Sequence, residues 1–179
     1  MDKHFRFSAI LLAISFSMLS FTTSISASER KINMNQHWKF YHGCIANAEQ
    51  PSYNDSEWRV LDIPHDWSVE PLPVQREGIT IGPFSRMSIG GPDTGQTVGG
   101  EGWYRKELIL QPGDTDKILS LYFEGAYNQT EVWINGQKAC FNAYGYIPFR
   151  IDINKYCNAP GIPNTIAVKV INEGLNSRW

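Results

Sequence analysis

The pair Asn135-Gly136 constrains this chain more than any other feature. A two-residue hairpin turn needs positive φ at both central positions, and Asn-Gly adopts that conformation readily. Glu131-Val132-Trp133-Ile134 leads into the pair, and a return strand runs from Gln137 to Phe141. The same grammar recurs from Gly102 onward, where short alternating runs are cut by turn residues every 8 to 15 positions. Trp103 to Leu110 is closed by Pro112-Gly113-Asp114, and Lys117 to Glu124 puts Leu119, Leu121 and Phe123 on one face. Ile147 to Ile153 is another run, and Thr165 to Ile171 aligns Ile166, Val168 and Val170. No long segment of 3.6-residue period competes with these strands. The connections are too short for the crossover helices of a parallel sheet. An all-β antiparallel sandwich or jelly roll is therefore predicted, in keeping with 13% aromatics, 15 glycines and 10 prolines.

Two stretches depart from this pattern. Lys3, His4 and Arg6 precede an apolar run from Ser8 to Phe21, and the small residues of 22–28 come next. That is the layout of a signal peptide, and the run is shorter than the roughly 20 residues a spanning helix needs. Residues 1–28 are thus expected to be removed on export. The rest, 29–179, forms one domain in a secreted or periplasmic protein, free of the membrane after cleavage. The second stretch, 74–101, holds seven glycines and few strand formers. A loop of that length inside a compact domain is usually functional or disordered, and an excursion from one end of the sandwich is expected.

Several chemistries find no support. The formal charge of −2 gives no basic face for nucleic acid. No phosphate-binding Gly-Lys motif, nucleophile elbow or cysteine–histidine cluster at metal spacing occurs, so no cofactor and no metal are expected. Cys44, Cys140 and Cys157 form an odd set in an oxidising compartment, with at most one disulfide and no basis for choosing the pair. Glu173 is expected to start a loop rather than serve as an acid or base. Adjacent residues on an extended chain point to opposite sides, so His65 and Asp66 cannot form an oriented dyad, and a structural hydrogen bond is expected of them instead. Trp67, Trp103, Tyr104, Tyr144 and Tyr146 lie near strand ends or loops, where flat rings stack on pyranose faces or fill a core.

Taken as motifs, the residues resemble a known family. Ile63-Pro64-His65-Asp66-Trp67-Ser68-Val69-Glu70 is followed by Gly99-Gly100-Glu101-Gly102-Trp103-Tyr104-Arg105-Lys106. Phe123 to Gly136, Tyr144 to Asp152 and Asn176-Ser177-Arg178-Trp179 extend the match in order and spacing. About residues 36 to 179 are similar to the amino-terminal sugar-binding domain of glycoside hydrolase family 2, particularly the secreted bacterial β-galactosidases. The resemblance implies a galactose-binding-domain-like jelly roll and a carbohydrate partner of β-galactoside type. It also implies immunoglobulin-like and (β/α)-barrel domains downstream, the barrel carrying the two catalytic glutamates. On that reading the chain is a non-catalytic fragment with no catalytic residues of its own, possessing every strand of the sandwich but the last. The alternatives are a stand-alone carbohydrate-binding module, a decayed truncated product, or the front of a β-mannosidase or β-glucuronidase. Position in the family's Gly-rich loop and terminal segment makes Asp93, Gln96, Arg178 and Trp179 the candidate sugar contacts. Pro64, His65, Asp66, Trp67, Trp103, Tyr104 and Arg105, with the Asn135-Gly136 turn, are expected to be scaffold.

Overall fold

The computed structural model describes residues 29–88 and 91–172. The chain divides into two units, Met1–Ile32 and Asn33–Trp179. The predicted signal segment lies outside the described residues. Among those residues no helix is long and apolar enough to cross a membrane.

The second unit is an antiparallel β-sandwich. Its strands are β1 (Trp38–His42), β2 (Arg59–Leu61), β3 (Thr80–Ile81), β4 (Phe84–Ser85) and β5 (Gly100–Ile109). After them come β6 (Ser120–Phe123), β7 (Thr130–Ile134), β8 (Gln137–Asn142), β9 (Phe149–Asp152) and β10 (Pro163–Asn172). A six-stranded sheet has the order β2-β1-β5-β10-β7-β8, while β6 pairs with β9 and β3 with β4. The two ten-residue strands β5 and β10 pair along their full length, from Ile109 opposite Pro163 to Gly100 opposite Asn172.

Strand periodicity sorts the side chains onto two faces. Trp38, Phe40, Tyr104, Val132, Ile134, Ile166, Val168 and Val170 point to the main core, where Ile151 and Ile153 and the half-buried Leu119, Leu121 and Phe123 meet them. Val132, Ile134 and Ile166 are fully buried, each contributing about 1.5–3 kcal/mol relative to exposure. The other face of the large sheet is also covered. Ala48, Tyr53 and Trp58, from the segment between β1 and β2, pack on Trp103, Trp133 and Ala167. Arg105 reaches from that face to Asp55 Oδ2 at 2.7 Å and to the Ala48 and Gln50 carbonyls, and Lys39 bonds the other Asp55 oxygen at 2.5 Å. Burial pushes the Asp55 carboxyl up, but the hydrogen bonds from Lys39 and Arg105 outweigh it and hold it below its ordinary value.

The loop expected over 74–101 is mostly irregular but structured. It contains the β3–β4 hairpin and a 3-10 turn at Gly91–Thr94, and its last two residues already belong to β5. All three cysteines are free thiols.

Candidate functional site

Strand register shows which connections share an end of the sandwich. His42 lies opposite Gly102, Gly102 opposite Val170, Val170 opposite Thr130 and Thr130 opposite Asn142. Phe123, at the end of β6, lies opposite Phe149 at the start of β9. One rim therefore gathers the end of β1, the 71–99 excursion, the loops 124–129 and 143–148, and the end of β10. The opposite rim gathers the Asn135-Gly136 turn and the start of β10.

The excursion is fastened at both feet. At its start, Asp66 accepts from the Ser68 amide at 2.8 Å and caps a short 3-10 turn, Trp67–Val69. His65 brings Nδ1 within 2.8 Å of the Tyr104 hydroxyl and Nε2 within 3.0 Å of Glu70. Arg59 donates to both Glu70 oxygens at 2.9 Å and lies 5.3 Å above the Phe40 ring. Nε2 also lies 3.2 Å from Arg59 Nη2, so the imidazole ring bridges the Arg59–Glu70 pair to Tyr104. Burial tends to raise the Glu70 pKa, yet the bonds from Arg59 and His65 hold it below its ordinary value. Burial, with the nearby charges of Asp66 and Glu70, drives the Tyr104 hydroxyl pKa up, so it stays protonated.

The second foot depends on a glycine. A Cβ on Gly102 would stand 2.7 Å from the Trp67 ring, so only glycine admits the indole over β5. Trp67 packs on Phe40, His42 and Tyr104. His42 Nε2 lies 3.0 Å from the Gly99 carbonyl, closing the foot.

Gln96 sits at the turn back toward β5 with φ at 61°. Its amide donates to the Gly91 carbonyl at 2.9 Å and its carbonyl accepts from Ser85 at 2.8 Å, which closes the tip loop on itself. The backbone of Asp93 lies in the 3-10 turn of that loop, and its side chain lies outside the described set. Arg178, Trp179 and Glu173 also lie outside the described residues. Trp67, Trp103 and Tyr104 are buried, as is Arg105, whereas Tyr144 and Tyr146 are exposed on the rim loops. Ile63-Pro64 is a cis bond at the head of the motif. Asn135 and Gly136 take φ of 53° and 78° at the other end. Reading the sequence did not single out Arg59, Glu70, His42 or Tyr127 as individuals. Glu70 and Tyr127 stood within the matched motifs, whereas the predicted strand leaves Gly102 just before it and the structure begins that strand at Gly100. A glycine inside a strand is the signal of close approach that would have found Gly102.

Chemically the rim offers aromatic faces, amides and backbone groups. Three acidic side chains around it are committed to local bonds, Glu70 to Arg59 and His65, Glu101 to the Trp103 indole at 2.6 Å, and Asp66 to Ser68, while Glu77 and Glu124 are exposed on the excursion and on the 124–129 loop. Among the described residues no cluster of His, Cys, Asp and Glu could hold a metal. Aromatic faces stack on the C–H faces of a hydroxylated ligand, and amides hydrogen-bond its hydroxyls.

Comparison with known proteins fits that description. Residues 32–178 match the sequence profile described as glycosyl hydrolases family 2, sugar binding domain. The β-galactosidase BoGH2A of Bacteroides ovatus is 38% identical over 159 residues, 88% of this chain and 17% of that protein. A β-glucuronidase of Formosa agariphila is 32% identical over 154 residues, 85% of this chain and 14% of its own. A solved glycosyl hydrolase family 2 member from Bacteroides cellulosilyticus superposes with a TM-score of 0.73 at 38% identity, over 81% of this chain and 18% of that one. The chain thus spans less than a fifth of the length of these relatives. With a profile match across most of its length and a sandwich that superposes on a solved member, the chain belongs to glycoside hydrolase family 2, as that family's sugar-binding domain.

Proposed function

We propose that the chain is the sugar-binding front of an exported glycosidase of β-galactosidase type, and that the hydrolytic carboxylates lie in other parts of the protein. The observation that carries this reading is the size of the match, 88% of this chain against 17% of a β-galactosidase. The Gln96 loop then offers sugar contacts from the rim, joined by Asp93, Arg178 and Trp179. Export rests on residues 1–28. A β-glucuronidase is the second reading, favoured by the 32% identity to the Formosa agariphila enzyme.

Two assays test this. The chain of residues 29–179 should not turn over nitrophenyl β-galactoside or nitrophenyl β-glucuronide. Turnover abolished by replacing one of its own carboxylates would overturn the proposal. The coding sequence beyond codon 179 should continue in frame into a barrel, and the longer product should prefer the galactoside. Preference for the glucuronide selects the second reading.

A further inference from the structure

Of the five aromatic residues that the sequence offers for stacking on sugar, three are used up by the fold. Trp67, Trp103 and Tyr104 retain 8%, 3% and 7% of their surface, while Tyr144 and Tyr146 retain 52% and 61%. A third tyrosine joins these two. The Tyr146 ring centroid lies 5.1 Å from that of Tyr127 at 56°, and 5.7 Å from that of Tyr144 at 64°. The rings therefore stand as angled walls rather than as one flat apolar face.

The mounting is rigid. Gly145 is buried, and a Cβ there would stand 2.6 Å from Tyr127 Cδ2 and 2.7 Å from Tyr127 Cα. Glycine thus lets Tyr127 press directly on the neighbouring loop. A Cβ on Gly125 would meet the Gly145 carbonyl at 3.1 Å, so the two loops touch backbone to backbone. Asn142 Nδ2 donates to the Tyr144 carbonyl at 2.9 Å, and the Ile171 amide of β10 donates to the Asn128 carbonyl at 3.1 Å. These loops are braced to each other and to the last strand of the large sheet. A site held in this way loses little conformational entropy on binding.

Charge narrows the ligand. Loop 143–148 contains no charged residue and loop 124–129 only Glu124, so the platform carries no cation with which to attract an anionic sugar. Tyrosine presents an apolar face and a hydroxyl edge, which match the C–H face and hydroxyl rim of a pyranose. The cluster also shares its rim with the Gln96 loop. We infer that Tyr127, Tyr144 and Tyr146 form a stacking subsite for a neutral saccharide of the β-galactoside class, with Tyr144 and Tyr146 as the contact rings. This deepens the sugar-binding reading above and rests on it.

The test is lactose titration of the chain of residues 29–179 carrying ring-labelled tyrosine and labelled backbone amides, monitored by nuclear magnetic resonance, with glucuronic acid as the charged comparison. Tyr144 and Tyr146 ring signals should move saturably with lactose at roughly millimolar Kd, as suits a few stacked rings, and far less with glucuronic acid. Tyr144→Ala/Tyr146→Ala should weaken lactose binding about tenfold or more, while Tyr144→Phe/Tyr146→Phe keeps it within about threefold, because the stacking faces remain. Both rings are largely exposed, so the phenylalanine pair should melt like the parent and the alanine pair should still melt cooperatively. An alanine pair that binds like the parent, or lactose shifts confined to the Gln96 loop, overturns the subsite and leaves the sugar-binding reading standing. Ring signals that track chain concentration instead of sugar overturn it in favour of self-association. Absence of any lactose response at tens of millimolar also overturns it, and the glycosidase reading is then judged separately by hydrolysis with the longer product.

Discussion

The two ends of the sandwich are finished in opposite ways. At the Asn135 end, amides seal every strand terminus they reach. Asn135 donates to the Tyr156 carbonyl and to Asn164, and accepts from the Thr165 amide. Asn164 is fully buried, accepts also from the Asn158 amide at 2.6 Å, and donates to the Leu108 carbonyl at 3.1 Å. Asn154 links the Leu119 amide to the Lys117 carbonyl. At the other end long loops stand out from the strands, large apolar side chains such as Ile81, Phe84 and Met87 face solvent, and the Trp67 indole N–H finds no acceptor among the described residues. Buried polar groups are normally satisfied, and exposed apolar side chains in number mark a surface with a use. Exposed apolar side chains occur at both ends, Ile109, Ile118 and Ile162 among them at the Asn135 end, so the contrast is one of fastening: an asparagine network closes one end, and the end where recognition is proposed is held through the feet of its excursion.

The contrast is sharpest at Asn164. Asn164→Ala strands the Leu108 carbonyl, the Asn158 amide and the Asn135 side chain together, and should cost about 3 kcal/mol. Thermal melting should fall by roughly 6–12 °C, with the sugar response unchanged. A variant that melts like the parent would show that the amide network does not stabilise that end.

Gly102→Ala probes the open rim. The new methyl must displace the buried Trp67 ring, and overpacking of that kind costs about 2 kcal/mol. Because Trp67 seats the foot of the excursion, trypsin should cut faster at Arg76 and Arg86 than in the parent. Faster cleavage spread evenly over the chain would instead indicate global loosening.

Acid should separate the two ends without any mutation. Asparagine side chains have no acid titration, whereas the excursion is fastened through the Glu70 carboxylate. With its folded pKa below the usual value near 4.3, Glu70 contributes its attachment fully above that value and loses it as pH falls through the lower one. Hydrogen-exchange protection in the excursion should therefore drop below about pH 4, before it drops at the Asn135 end. Glu70→Gln should flatten that dependence. Simultaneous loss at both ends would deny Glu70 its role.

Much of this architecture is legible in the sequence. The period-two runs locate β5 through β10, since those strands bury one face on the main core, and Asn-Gly marks the β7–β8 turn. The aromatic residues could not be sorted in the same way. Trp103 and Tyr104 are neighbours on β5 and point to opposite faces, yet both are buried, because the segment 43–58 covers the second face. Alternation separates core from solvent only when one face is wet. The Arg105–Asp55 pair spans 50 residues and leaves no local trace. Of the candidate contacts, Gln96 lies in a closed loop, but its positive φ arises from that closure and not from its own preference. Tyr127 stood inside a matched motif without any sign that it would meet Tyr146.

Kinetics of the longer product on nitrophenyl β-galactoside, with the 88–97 tip intact or replaced by a short glycine linker, test the functional rim most directly. If the rim supplies sugar contacts from a non-catalytic domain, the shortened tip should raise KM about tenfold, equivalent to about 1.4 kcal/mol, and leave melting of the Asn135 end unchanged. Unaltered KM and kcat with the tip removed would contradict the assignment of recognition to this end of the sandwich.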